Sequence, residues 1–185
     1  MKFASWTVFI LLFMDSVLSA EHKDKKIICK TGAYSKDDDP AGTNIRDQPK
    51  GRILAQIPSG TVFSIIGYLD EWFEIKEFEY NLDSDADIEY AKKNKHKIAG
   101  DTASIPRLRG WIHRNHVTFH FGGRYDAKLY KKPDDESKVI FPIKESETES
   151  PAAVLACSDN WFKVKIKNQI GWVNSICLNT RTNCN

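Results

Sequence analysis

The sequence predicts a mainly β chain, two small β domains in tandem with a short helical insertion in the first. Three observations carry that expectation. A run of β-branched and aromatic residues at 61–76 (TVFSIIGYLDEWFEIK) has part of its second half repeated at 160–165 as NWFKVK. Each copy reaches its Trp-Phe pair through a short polar break, Leu69-Asp70-Glu71 in one and Ser158-Asp159-Asn160 in the other. A Gly-Trp-aliphatic triplet follows each, Gly110-Trp111-Ile112 and Gly171-Trp172-Val173. Self-similarity of this kind marks repeated structural units, and short β-branched runs separated by turn residues mark strands.

Taken in order, residues 1–20 read as a secretory signal peptide. Lys2 supplies the positive start, residues 7–14 (TVFILLFM) an apolar centre, and residues 17–20 (VLSA) the small residues suited to cleavage. That run is too short to span a bilayer, and no other apolar run approaches spanning length. Glu21 follows Ala20, where a lipoprotein carries Cys. The expected product is soluble and exported, to the periplasm or outside the cell, with no membrane span after cleavage. A formal net charge of +2 with 28% charged residues describes a mixed surface and argues against nucleic acid as a partner.

Four cysteines, Cys29, Cys157, Cys177 and Cys184, read as disulfides in an exported chain, with three pairings open. The short polar loop between Cys177 and Cys184 favours that pair and leaves Cys29 for Cys157. No Cys-x-x-Cys spacing offers zinc a site.

Residues 21–41 form a lead-in segment, charged at first and then briefly apolar at Ile27-Ile28-Cys29, which suits a strand. The acidic stretch at 36–40 (KDDDP) reads as a solvated turn, since consecutive loop carboxylates do not converge on one cation. From Gly42 the chain alternates through Asn44-Ile45-Arg46, turns at Pro49 and Gly51, runs as a strand at 53–57, and turns again before Gly60-Thr61-Val62-Phe63. Trp72-Phe73-Glu74-Ile75 and Gly110-Trp111-Ile112 complete the series. In this order the elements resemble the bacterial SH3-like domain family, over roughly residues 42–119. The resemblance implies two SH3-like β-barrels, domain 1 at 42–120 and domain 2 at 121–185. Many members of the family are targeting modules appended to wall-active enzymes.

An insertion at 77–108 interrupts the first domain. Its middle, residues 84–97, reads as a helix: Ser84-x-x-Asp87 is a capping box, acids crowd the first turn and lysines the last. Asp83-x-Asp85-x-Asp87 resembles the opening of a calcium loop, but Ile88 stands where that loop needs glycine and Asn94 where it needs an acid. The insertion is a candidate contact arm, with Asp85, Glu89, Tyr90 and Lys93 as candidate partner contacts. Domain 2 follows the family pattern less completely. Residues 127–133 (AKLYKKP) replace the Asn-Ile-Arg start and residues 144–151 (KESETESP) the Gly-Thr turn, before Trp161-Phe162-Lys163-Val164 and Gly171-Trp172-Val173 restore the match.

Period-two alternation sets Phe73 and Ile75 on one strand face and Trp72, Glu74 and Lys76 on the other, with Trp111 beside His113 and Trp172 beside Asn174 on their own strands. The tryptophans thus fall on faces that carry polar residues. Either they line an aromatic groove for a peptide or glycan, or they pack within the protein. Arg46, Tyr68, Trp72, Glu74, Trp111 and His113 are the candidate ligand-binding residues. His113-x-x-His116-x-x-x-His120 reads as surface or half-buried histidines, not a metal site, and no cofactor is expected. With no G-x-S-x-G, H-E-x-x-H or P-loop, the chain reads as a non-enzyme. The expected function is a cell-envelope binding protein that recognises a peptidoglycan peptide or glycan, or a protein segment, through its SH3-like domains. The alternative is a periplasmic immunity or inhibitor protein whose 77–108 insertion neutralises a toxin or hydrolase.

Overall fold

Turn residues cut the chain into short antiparallel strands. The computed structural model describes residues 25–39, 41–119, 127–143 and 152–174. The expected signal peptide, His120, the 144–151 turn and the Cys177–Cys184 pair lie outside the described residues. In chain order the elements are β1 (Ile27–Ser35), β2 (Thr43–Arg46), β3 (Ile53–Ile57), β4 (Val62–Leu69), β5 (Trp72–Asn81), α1 (Asp85–Lys93), β6 (Lys97–Ala99) and β7 (Thr102–His113). A 3-10 turn at Arg114–His116 leads to β8 (Val117–Phe119), β9 (Lys128–Tyr130), β10 (Val139–Pro142), β11 (Ala152–Ser158), β12 (Trp161–Ile166) and β13 (Gln169–Val173). The described residues are mainly β with one short helix, and their strands hydrogen-bond as one open antiparallel sheet.

The strand order across that sheet is β10-β9-β13-β12-β11-β8-β1-β4-β5-β7-β2-β3, with β6 paired to β7 outside this path. Read outward from the centre, one side runs β1-β4-β5-β7-β2-β3 and the other β8-β11-β12-β13-β9-β10. The two sides have the same connectivity once β6 and α1 are set aside. The lead-in segment therefore supplies the innermost strand of the first side, and β8 that of the second. These two strands pair with each other, Tyr34 opposite Thr118 and Ser35 opposite Val117.

Local chemistry repeats with the topology. Asp70 and Glu71, the polar break before Trp72, both hold left-handed backbone (φ 45° and 70°), the geometry of a tight hairpin whose twist matches its strands. Asp159 takes the same region at the second break (φ 51°). The glycines of the Gly-Trp triplets are dictated by close approach of a neighbouring strand. A Cβ at Gly110 would stand 2.5 Å from Ile45 Cγ2 and 2.7 Å from the Arg46 carbonyl oxygen. At Gly171 it would meet Ile140 Cδ1 at 2.8 Å, and Leu129 Cβ and the Tyr130 carbonyl oxygen at 3.0 Å.

One hydrophobic core serves both sides of the sheet, including Phe63, Phe73 and Phe78 from one and Phe119, Leu129 and Phe162 from the other. Phe119 and Phe162 stack with centroids 5.5 Å apart. Within this core the disulfide Cys29–Cys157 ties β1 to β11, as the spacing of the cysteines predicted. Beside it the two segments exchange backbone hydrogen bonds: Lys30 N–H donates to Asp159 O at 2.7 Å and Asp159 N–H to Ile28 O at 2.9 Å. Because the bridge spans 128 residues, it restricts the unfolded chain by an amount worth about 4–5 kcal/mol in the chain-entropy picture.

The insertion prolongs β5 and β7 into an arm tipped by α1 and β6. Ser84 caps the helix, accepting from the Asp87 N–H and donating to the Asp87 carboxylate at 2.7 Å. The helix stops at Lys93 instead of running to 97. Lys95 adopts φ 57°, its N–H donates to Lys92 O and that of His96 to Ala91 O. This is a Schellman ending with lysine where glycine is usual. Tyr80, Ala91 and Ala103 give the arm a small core of its own.

Reduction of the disulfide, or Cys29→Ala with Cys157→Ala, is expected to lower stability by about 3–5 kcal/mol. Urea unfolding is the measurement, and the shared core predicts a single transition in both forms. Gly110→Ala, which has no room for its methyl, is expected to cost about 1–3 kcal/mol in the same assay, and Gly171→Ala a comparable amount.

Candidate functional site

The centre of the first side brings β2, β5 and β7 together in a register that sets Arg46 opposite Trp111, Glu74 opposite Trp111, and Trp72 opposite His113. Five of the six predicted ligand-binding residues therefore share one patch. The Trp72 ring is nearly buried, 8% exposed. Its covers are the His113 ring, edge-on at 5.1 Å, and the Arg46 guanidinium, 6.0 Å from its centroid. Arg46 is itself fixed by donating to the Gly51 carbonyl at 2.6 Å. Tyr68 is not part of this group, since its ring packs on Phe73 at 5.0 Å and against the core.

Glu74 is the one buried carboxylate of the patch, 6% exposed. Arg109 Nε donates to Oε1 at 2.7 Å, and the Lys26 ammonium pairs with Oε2. Burial pushes the carboxyl up, but the hydrogen bonds and charges of Lys26 and Arg109 outweigh it and hold the group below the usual glutamate value. The Lys26 ammonium also sits 6.0 Å from the Trp111 centroid. The segment that leads into β1 thus lays a cation beside the aromatic patch, pairing with its acid and standing near the half-buried Trp111 ring.

At the edge of the patch Glu71 pairs with Arg114 and lies 3.9 Å from His113 Nε2. Burial lowers the His113 pKa and outweighs the opposing pull of Glu71, so the imidazole is neutral at pH 7. His116 Nδ1 lies 3.1 Å from the Asp37 carboxylate, which also accepts from Thr43 Oγ1 at 3.1 Å. The acidic turn is in this way pinned to the strand that follows it. Among the described residues no group of three or more metal-ligating side chains converges.

The second side carries a counterpart with different chemistry. Tyr130 stands opposite Trp172, where the first side has Arg46 opposite Trp111. Its ring lies edge-on to Trp161 at 5.4 Å, and Trp161 is 7% exposed. Asn174 donates to Asp135 at 2.8 Å. This patch is aromatic and holds Lys163 in place of a buried acid.

Of the predicted arm contacts, Asp85 and Glu89 are exposed. Tyr90 and Lys93 line a groove between α1 and β3, and the Tyr90 hydroxyl donates to the Gln56 carbonyl at 2.8 Å. Residues that the sequence reading missed are Lys26, Arg109 and Tyr130. Arg109 was accessible to it, lying two residues before Trp111 and hence on the same strand face. Lys26 left no local trace, since only the β1–β4 pairing brings it to Glu74.

The family described as Bacterial SH3 domain matches residues 125–178. That region falls within the half in which the motif series is less complete. No curated protein matches the chain. Two solved structures from Trichomonas vaginalis, NlpC1 and NlpC2, align with 82% and 81% of the chain at 9% and 10% identity, each with a TM-score of 0.30. The chain spans about half the length of each, 47% and 48%.

Glu74→Gln is expected to destabilise the protein by about 1–3 kcal/mol at neutral pH, through loss of two charge-assisted hydrogen bonds. The folded pKa is the lower one, so the contribution of Glu74 is complete above the ordinary value of 4.5 and is lost as pH falls through the folded value. Urea unfolding of both forms at neutral pH and again in acid tests this, and a gap that persists undiminished in acid contradicts it.

Proposed function

We propose that the protein is a non-enzymatic, exported binding protein of the cell envelope, made of two SH3-like units that recognise an extended peptide, such as a peptidoglycan stem, through their aromatic patches. The observation that carries this reading is the recurrence of one strand order in both halves, with a bacterial SH3 match on the second. Support also comes from the repeated crossing in which Gly110 and Gly171 admit a neighbouring strand beside a Trp. On the first side the half-buried Trp111, with Arg46 and His113 at its flanks, offers an aromatic surface edged by hydrogen-bond donors. Such a surface suits an extended chain with carbonyl and carboxylate groups. The disulfide between β1 and β11 fits a product that matures in an oxidising compartment.

A second reading, in which the 77–108 arm engages a toxin or hydrolase as an inhibitor or immunity protein, is favoured by the arm's separate small core and its groove against β3.

Co-sedimentation of the oxidised protein with purified peptidoglycan separates the two. Trp111→Ala is the informative variant, because this ring is only half buried and its loss spares the core. The aromatic-patch reading predicts sedimentation that weakens about tenfold in the variant and survives removal of the arm. Absence of sedimentation, with capture of a single protein partner that depends on the arm, rejects it in favour of the inhibitor.

A further inference from the structure

β3 ends the sheet, pairing with β2 alone among the described strands. The Gln56 carbonyl points away from β2, since it accepts from Tyr90 on the arm. The β2–β3 register slips between Ile45 and Arg46, so Ile53 and Leu54 together oppose Arg46 in a bulge. Leu54, Ala55 and Gln56 wall one side of a groove of about 720 Å³, with α1 and residues 105–108 on the other. Leu54 is 42% exposed there.

The charge of this groove is one-sided. Lys93, Lys95, Arg107 and His96 line it, and among the described residues no Asp or Glu does. The two lysines and Arg107 have no ion pair among the described residues. Arg107 is also held by a bulge: Lys76 pairs with Arg109 and Phe78 with Ile105, so three residues of β7 oppose Glu77 alone. Arg107 has φ 63° and Glu77 φ 60°, a conformation disfavoured for both. Bulges of this kind re-aim a side chain, and here the re-aimed residue is a cation beside an unpaired strand edge.

We infer that the groove beside β3 is a docking site for an acidic, extended polypeptide segment, which lies along Leu54 while its carboxylates meet Lys93, Lys95 and Arg107. These cations raise the association rate of an acidic partner and select against a basic one. Tyr90 holds the arm against β3 and bounds the groove at Gln56. The site is separate from the aromatic patch, so it stands or falls independently of peptidoglycan binding.

The test is fluorescence anisotropy with the full oxidised chain and a labelled octapeptide of alternating Glu and Val, beside its Lys and Val counterpart, at low salt. Only the acidic peptide is expected to bind, with affinity falling about tenfold or more in the double variant Lys93→Glu, Arg107→Glu. Leu54→Glu, which places an acid on the exposed groove wall, is expected to weaken binding by a similar factor, while Leu54→Ala stays near wild type. Absence of saturable acidic-peptide binding overturns the inference, as does equal binding of both peptides. Heparin binding that is lost in the double variant, with the peptide inert, reassigns the groove to an anionic glycan.

Discussion

The antiparallel pairing of β1 with β8 fixes the position of everything else, because each of these strands is the innermost member of one repeated set. Separate units of this size bury too little apolar surface to be comfortably stable. Joined through β1 and β8 they share a core in which Phe119 stacks on Phe162 and Cys29 is bonded to Cys157. The disulfide acts at the same junction, closing a long stretch of chain where the backbone already exchanges hydrogen bonds between residues 28–30 and Asp159. Covalent and non-covalent constraints therefore coincide.

That junction also shapes the candidate site. Once β1 lies beside β4, Lys26 reaches Glu74, and a carboxylate that burial alone drives toward its neutral form stays charged. The aromatic patch is in consequence neither a bare groove nor a plain piece of core. Trp72 is sealed between Arg46 and His113, Trp111 remains partly open, and a cation from the lead-in strand lies near both Trp111 and Glu74. Ligand access there is set by β1 as much as by the strands that carry the tryptophans. The groove beside β3 is of another kind, a strand edge flanked by cations with no aromatic platform.

Much of the local structure was legible in the residues. The alternation in Trp72-Phe73-Glu74-Ile75 and in Trp111-Ile112-His113 gave the shared face, and Ser84-x-x-Asp87 gave the start of the helix, because these depend on neighbours a few positions away. The end of the helix was not legible, since Lys95 takes a left-handed conformation that sequence normally signals with glycine. Tyr68 looked like a member of the patch, yet the two-residue turn at Asp70-Glu71 sets it opposite Phe73, on the face away from Trp72, and its ring rests on Phe73.

Sequence by itself determined the β class, the internal repeat of the Trp-Phe and Gly-Trp motifs, and the polar breaks at Asp70-Glu71 and Asp159. All of these follow from backbone sterics and side-chain alternation, which act locally. Only the tertiary structure decided that the repeats continue as one sheet, that Lys26 neutralises Glu74, and that Tyr90 ties the arm to β3. Those contacts join residues far apart in the chain, and their free energy comes from shared burial and from pairing desolvated charges, neither of which leaves a local pattern to read.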